Sequence, residues 1–211
     1  MNDNYDFNIK RKRPEEIWNN VTDYFRGEIL RQYASSKSIM KIQEKITIRA
    51  LELLDLRKKD ALILDAGSGP GFAAIYLNEI GYKTVAVDVI SAFLNYYDIK
   101  DLNPIAADMC YLPFKPKTFD AIISISALQW IYRDLRNEQM YLMLKDMSKS
   151  FFKTLKPNSQ AIIQFYPKSK KIMEDIGKVI VKNTDFDGNF IIDNPNNQKK
   201  RKIFLLLVKN R

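Results

Sequence analysis

From Ala61 onward, short apolar runs alternate with stretches of helical periodicity, and the first run passes straight into a glycine-rich loop. The apolar runs lie at 61–64, 84–87, 104–107, 121–125, 161–165, 189–192 and 203–208, with helices expected near 72–80, 91–100, 137–155 and 170–182. Strands that alternate with helices build parallel β-α-β units, and a sheet covered on both faces needs near-continuous apolar strands such as AIISI. The last two runs are joined by a loop without a helix, so they are expected to form a hairpin that puts one antiparallel strand in the sheet. The pattern therefore predicts an α/β fold: a doubly wound, mostly parallel seven-stranded sheet with helices on both faces. A chain of 211 residues can bury one such core without disulfides or metals to staple it.

Upstream, residues 1–13 read as a basic flexible arm. Pro14-Glu15-Glu16 then opens a helical stretch, because proline is tolerated in a first turn and acids favour that end. A further helix is expected from about Ser38 to Leu56, with Ile39, Ile42, Ile46, Ala50, Leu53 and Leu54 as its apolar stripe. Residues 14–211 are expected to form a single domain. The lone Cys110 excludes an internal disulfide, and a chain without histidine has no His/Cys zinc site. That usage suits a reducing cytoplasm, with a nuclear location only if the source is eukaryotic. The polar start MNDNYDFN has no signal-peptide core, and no apolar run approaches the ~18 residues that span a bilayer. The net charge of +9 is concentrated at Lys10–Arg13, at Lys168 with Lys170 and Lys171, and at Lys199–Lys202. Such runs read equally well as a solvated surface or as a footprint for a phosphate backbone.

The strongest local signal is Leu64-Asp65-Ala66-Gly67-Ser68-Gly69-Pro70-Gly71, between the first strand and a helix. The dinucleotide spacing G-x-G-x-x-G would need glycine at position 72, where Phe72 stands, which weighs against a nicotinamide enzyme. Three acids strengthen the signal. Asp65 ends the first strand, Asp88 the second, about 20 residues after Gly67, and Asp108 the third. Each alone is most simply a cap, but all three at strand ends after a glycine loop point to a ligand crevice. Three carboxylates suit a ligand with a sulfonium and an ammonium, and suit a pyrophosphate poorly.

The stretches Asp108-Met109-Cys110-Tyr111-Leu112-Pro113-Phe114, Phe119-Asp120-Ala121-Ile122-Ile123-Ser124 and Leu155-Lys156-Pro157-Asn158 resemble class I S-adenosylmethionine-dependent methyltransferases, a Rossmann-like family. The resemblance implies S-adenosyl-L-methionine as cofactor. Asp88 would hold the ribose, Asp108 the adenine amino group, and Gly67, Ser68 and Gly69 the methionine moiety. Asp65, Val89, Met109 and Ser124 would complete the cofactor set. SISALQW at 124–130 and Gln164-Phe165-Tyr166-Pro167-Lys168 are more specific. They resemble the small-subunit (18S/16S) ribosomal RNA guanine-N7 methyltransferases of the Williams–Beuren syndrome type. That likeness runs from about residue 14 to 208. It implies a role in ribosome biogenesis, an N-terminal cofactor lid over 14–57 carrying Tyr33 and Ile42-Gln43, and a sheet core over 58–211. It also implies a small zinc-binding activator protein as partner in a heterodimer. A long basic C-terminal extension is lacking, which fits an archaeal or otherwise compact relative.

The acceptor chemistry can be tested against the same residues. No Asn/Asp-Pro-Pro-aromatic motif marks amine methylation, and Cys110 lies after the third strand, away from where a cytosine-directed thiol is needed. Guanine N7 carries a free lone pair and needs only alignment, so Gln129, Trp130 and Tyr166 are expected to position rather than to act as general bases. Each also has a plain structural reading: Trp130 as packing, Gln129 as a partner for a loop backbone, Tyr166 as the end of a strand. The third strand is expected at the sheet edge. Ile105, Ala106 and Ala107, with Phe93 and Tyr97 beside them, form the expected docking surface for the activator, unless the chain's own loops cover them. A small-molecule methyltransferase of the quinone-precursor type and a non-catalytic ribosome-assembly factor remain the alternatives.

Overall fold

A computed structural model describes residues 7, 12–56, 58, 60–97, 102, 104–134 and 136–210, so most of the expected basic arm lies outside the described residues. Among the described residues the strands are β1 (Leu62–Ala66), β2 (Lys83–Asp88), β3 (Ile105–Ala106), β4 (Phe119–Ile125), β5 (Leu155–Phe165), β6 (Phe186–Asp193) and β7 (Lys202–Lys209). They form one sheet in the order β3-β2-β1-β4-β5-β7-β6. The first five are parallel, and β7 runs antiparallel between β5 and β6. The hairpin therefore exists, and its second strand is inserted next to β5.

The helices are α1 (Pro14–Ile17), α2 (Val21–Tyr24), α3 (Gly27–Ala34), α4 (Lys37–Leu53), α5 (Phe72–Glu79), α6 (Leu128–Ile131), α7 (Glu138–Thr154) and α8 (Lys170–Asn183). Side-chain oxygens of Ser36, Asn137 and Ser169 accept the free N–H groups that begin α4, α7 and α8. Successive residues of β4 serve opposite faces. Ile122 packs with Leu144, Met147 and Phe151 of α7, whereas Ala121 and Ile123 pack with Ile46 and Ala50 of α4 and Leu77 of α5. Burial of each such large side chain is worth about 1.5–3 kcal/mol. This is why both alternating sets must be apolar.

Three local expectations are corrected. Ile42 is 52% exposed, because the buried line of α4 runs through Ile46, Thr47, Ala50 and on to Leu54, one step round the helix. Of the helix expected at 91–100, Ser91–Tyr96 forms a 3₁₀ turn, and residues 98–100 lie outside the described residues. The third strand shrinks to two residues, and Phe93 and Tyr97 do not belong to an open surface beside it. Phe93 is 2% exposed beneath Phe25 and Tyr33, and the Tyr97 hydroxyl donates to Ser68 Oγ at 2.7 Å. The chain's own N-terminal helices and glycine loop cover them. Of the expected docking residues, Ala106 is exposed and Ile105 half-buried on the edge strand, and Ala107 is half-buried just after it.

Candidate active site

The carboxyl ends of β1, β2 and β3 meet the start of α6 and the N-terminal helices around a cavity of about 170 Å³. The glycine loop forms its floor. The N–H groups of Gly67 and Ser68 both donate to Val87 O, at 2.8 and 3.0 Å, which ties the loop to β2. Gly67 has φ +76°, and a Cβ there would stand 2.6 Å from Ala127 Cβ and 2.7 Å from Met109 Cε. Gly71, at φ +87°, would drive a Cβ to 2.4 Å from the Tyr97 ring. Both positions require glycine for backbone conformation and for space.

Asp88 braces this floor. Its Oδ2 accepts from Gly69 N and its Oδ1 from Ile90 N, each at 2.7 Å. Burial raises its pKa, and these backbone N–H groups oppose the rise. Asp65 is 1% exposed, and its Oδ2 has no hydrogen-bond partner among the described residues. Burial, with the Asp88 charge adding, pushes its carboxyl up to about 7. Asp108 Oδ1 accepts from Cys110 N at 2.8 Å and so caps a 3₁₀ turn, Met109–Tyr111. No ion pair with Lys or Arg is present at any of the three among the described residues. Each carboxylate oxygen offers more than one lone pair, so ligand hydroxyls and amines can still be accepted. An orphaned buried carboxylate oxygen, two further carboxylates without an ion-pair partner among the described residues and a cradle that excludes a Cβ fit S-adenosyl-L-methionine, whose charge is positive and whose ribose presents two hydroxyls.

The opposite wall is of a different kind. Ser126 follows β4 at φ +58°, a conformation that side chains rarely adopt. Its N–H donates to Gln164 O at 2.9 Å, its hydroxyl lies 2.9 Å from Gln164 Oε1, and Gln43 Nε2 donates to that hydroxyl at 3.5 Å. Trp130 lines the cavity and stacks on Tyr24 of α2, with centroids 5.6 Å apart and planes at 29°. Phe25 and Tyr33 close the top. Burial holds the Tyr33 hydroxyl up at about 12, with its hydrogen bond to Gln43 opposing.

Tyr33, Asp65, Gly67, Ser68, Gly69, Asp88, Val89, Asp108, Met109 and Trp130 are thus brought together around one cavity. Three expected residues are not among its lining. Ser124 is buried behind the wall, 1% exposed. Gln129 donates its Nε2 to Ser126 O at 2.8 Å, so it supports the loop backbone. The Tyr166 ring lies under the cations of Arg13 and Lys202. Ser126 and Phe25 join the lining without having been expected there, and Gln43, expected only as part of the lid block, joins the wall opposite the glycine loop. Ser126 sits inside SISALQW and Gln43 inside the N-terminal block, so the signal was present, but their meeting depends on the fold.

Residues 64–163 match a family model described as a methyltransferase domain. The chain is 31% identical over 207 residues to the 18S rRNA (guanine-N(7))-methyltransferase of Mus musculus, covering 94% of this chain and 72% of that protein. Among solved structures, magnesium protoporphyrin IX methyltransferase from Synechocystis PCC 6803 with bound SAM superposes with a TM-score of 0.64 at 14% identity, covering 96% of this chain and 100% of that one. A chain in the complex between the Haloferax volcanii Trm112 methyltransferase activator and a methyltransferase gives 0.63 at 15% identity, covering 91% and 98%. The two structural likenesses establish the fold, and the extent of the sequence match goes further: the chain belongs to the 18S rRNA (guanine-N(7))-methyltransferase family.

Proposed function

We propose that this chain transfers a methyl group from S-adenosyl-L-methionine to N7 of a guanine in small-subunit ribosomal RNA, as a step in ribosome biogenesis. The observation that carries the reading is the two-sided cavity, with a carboxylate-lined floor opposite a wall of aromatic, amide and hydroxyl groups. When bound, S-adenosylmethionine supplies a methyl group made electrophilic by its sulfonium. Asp88 holds the ribose hydroxyls, Asp108 the adenine amino group, and Asp65 with Gly67 to Gly69 the charged amino-acid end. Val89 and Met109 flank the adenine. Trp130 offers its face to the guanine, and the Gln43–Ser126–Gln164 chain fixes the wall beside it. No proton must leave N7 before attack, and among the described residues the acceptor wall offers no ready base. Burial first, and then Asp108, raise the pKa of the Cys110 thiol, so it stays protonated. Alignment of this kind can supply roughly 7–11 kcal/mol of a barrier.

Residues 14–57 act as a lid on a sheet core formed by 58–211, with 1–13 as a basic arm. The support is the packing of Phe25 and Tyr33 over the cavity. The edge strand β3 presents exposed Ala106, where a small zinc-binding activator protein adds a strand; a chain of this fold occurs in the complex with the Haloferax volcanii Trm112 methyltransferase activator, which supports a partner of that kind. The single buried cysteine supports a reducing compartment such as the cytoplasm. Among the described residues no helix is long and apolar enough to cross a membrane.

The test supplies labelled S-adenosylmethionine and small ribosomal subunits that lack the modification, with and without the activator. The labelled position is mapped by chemical cleavage at N7-methylguanine. One labelled guanine is the expected result. Tight cofactor binding with no RNA label would reject it in favour of a small-molecule acceptor or an assembly role.

A further inference from the structure

Basic residues remote in sequence meet at one place. Arg13, from the N-terminal segment, and Lys202, at the start of β7, hold their charged groups 5.7 and 5.4 Å from the centroid of the same Tyr166 ring. Lys168, in the loop that follows Tyr166, lines a polar hollow of about 400 Å³ together with Arg133 and Arg136. Arg133 Nη1 in turn donates to Trp130 O at 3.2 Å. The cations therefore form an arc from the start of β7, past Tyr166, to the loop behind Trp130, along the acceptor side of the cavity. Glu15, Glu16 and Asp134 line the same hollow and balance its three cations, with contacts of 3.6 Å from Glu16 to Lys168 and 4.0 Å from Asp134 to Arg136. Arg136 keeps 94% of its side chain exposed and Lys168 keeps 42%. Arg13 and Lys202 share one aromatic ring, and cations interleaved with aromatic faces suit a nucleic-acid strand better than an acidic protein surface.

We propose that this arc holds the sugar-phosphate backbone of the RNA strand that flanks the methylated guanine, an inference that rests on the guanine-N7 reading above. Tyr166 is then a platform that organises two phosphate-binding cations, and the strand crosses it on its way to Trp130.

The test compares the triple variant Arg136→Gln, Lys168→Gln, Lys202→Gln with a control of equal charge change, Lys83→Gln, Lys115→Gln, Lys153→Gln. The control residues are exposed and lie toward the opposite end of the sheet, two of them at or near the starts of β2 and β4. KM for small-subunit RNA is measured across salt concentrations, with cofactor affinity by calorimetry as a check on folding. The arc variant is expected to raise KM and to lower the slope of log KM against log salt by about 2–3, roughly one for each phosphate that is no longer neutralised. The rate at saturating RNA and the cofactor affinity should stay within about twofold of wild type. A slope equal to that of the control overturns the proposal, as does an unchanged RNA slope with impaired binding of the activator protein. If the unmodified chain labels no guanine at all, the N7 reading fails by itself, and filter binding of the same RNA to both triple variants still decides the arc.

Discussion

The two walls of the cavity are built by different means. The cofactor wall is held by hydrogen bonds from the backbone N–H groups of short loops at neighbouring strand ends: Gly67 and Ser68 donate to Val87 O, and Gly69 and Ile90 to the Asp88 carboxylate. The acceptor wall is assembled from side chains far apart in the chain. Tyr24 stacks on Trp130, Arg133 Nη2 reaches the carbonyls of Trp18 and Asn19, and Gln43 donates to the Ser126 hydroxyl, which in turn bonds to Gln164. A wall built on backbone geometry tolerates few substitutions. One built on side-chain contacts between separate elements can be tuned or opened, as a site that admits a large substrate must be.

Breaking the floor should have the largest effect. Asp88→Ala leaves the Gly69 and Ile90 N–H groups without their charged acceptor, and hydrogen bonds to charged groups are worth about 1.5–3 kcal/mol each. Calorimetry is expected to show cofactor affinity reduced by roughly 100-fold or more. Affinity within tenfold of wild type would show that Asp88 does not brace the loop. Trp130→Ala tests the other wall. Loss of one base stack, about 1–3 kcal/mol, lowers kcat/KM for RNA by roughly 5- to 150-fold, with cofactor affinity changed much less. Equal losses in both would erase the distinction between the walls.

A smaller effect comes from Asp65. Its folded carboxyl titrates at about 7, against an ordinary 3.8, so the native state holds this proton more tightly than the unfolded chain. Native stability should therefore fall as pH rises from about 4 to 7, and Asp65→Asn should raise Tm at pH 8. A cationic ligand prefers the ionised form, so cofactor affinity should fall about tenfold from pH 8 to 6 and become pH-independent in the Asn variant. A wild-type profile that is flat over this range would remove Asp65 from ligand binding. The smallest effect is expected for Tyr166→Phe, which keeps the ring under Arg13 and Lys202 and should leave methylation within about twofold. A large loss would restore the Tyr166 hydroxyl to the acceptor site.

Much of the fold was legible because its signals are local. Each apolar run falls on a strand, although β5 begins at Leu155, before its expected run, and carries Asn158 at φ +58° where its pairing with β4 shifts register. The turn at Ser91–Tyr96 and the two-residue β3 were read as longer elements because periodicity does not reveal where packing cuts an element short. At the site, Asp65, Asp88 and Asp108 could be read from their positions at strand ends. Gln129 and Tyr166 could not be placed, because sequence neighbours of a wall residue look the same whether they face the cavity or support it from behind.

By itself the sequence determined the sheet and the cofactor wall, since strand periodicity, the glycines of the loop and the acids that end each strand act over a few residues of backbone. The acceptor wall and the basic arc were decided only by the tertiary structure. Stacking of residue 24 on residue 130, and of residues 13 and 202 on one ring, depends on side-chain distances that exist only once the sheet and its lid have closed on each other.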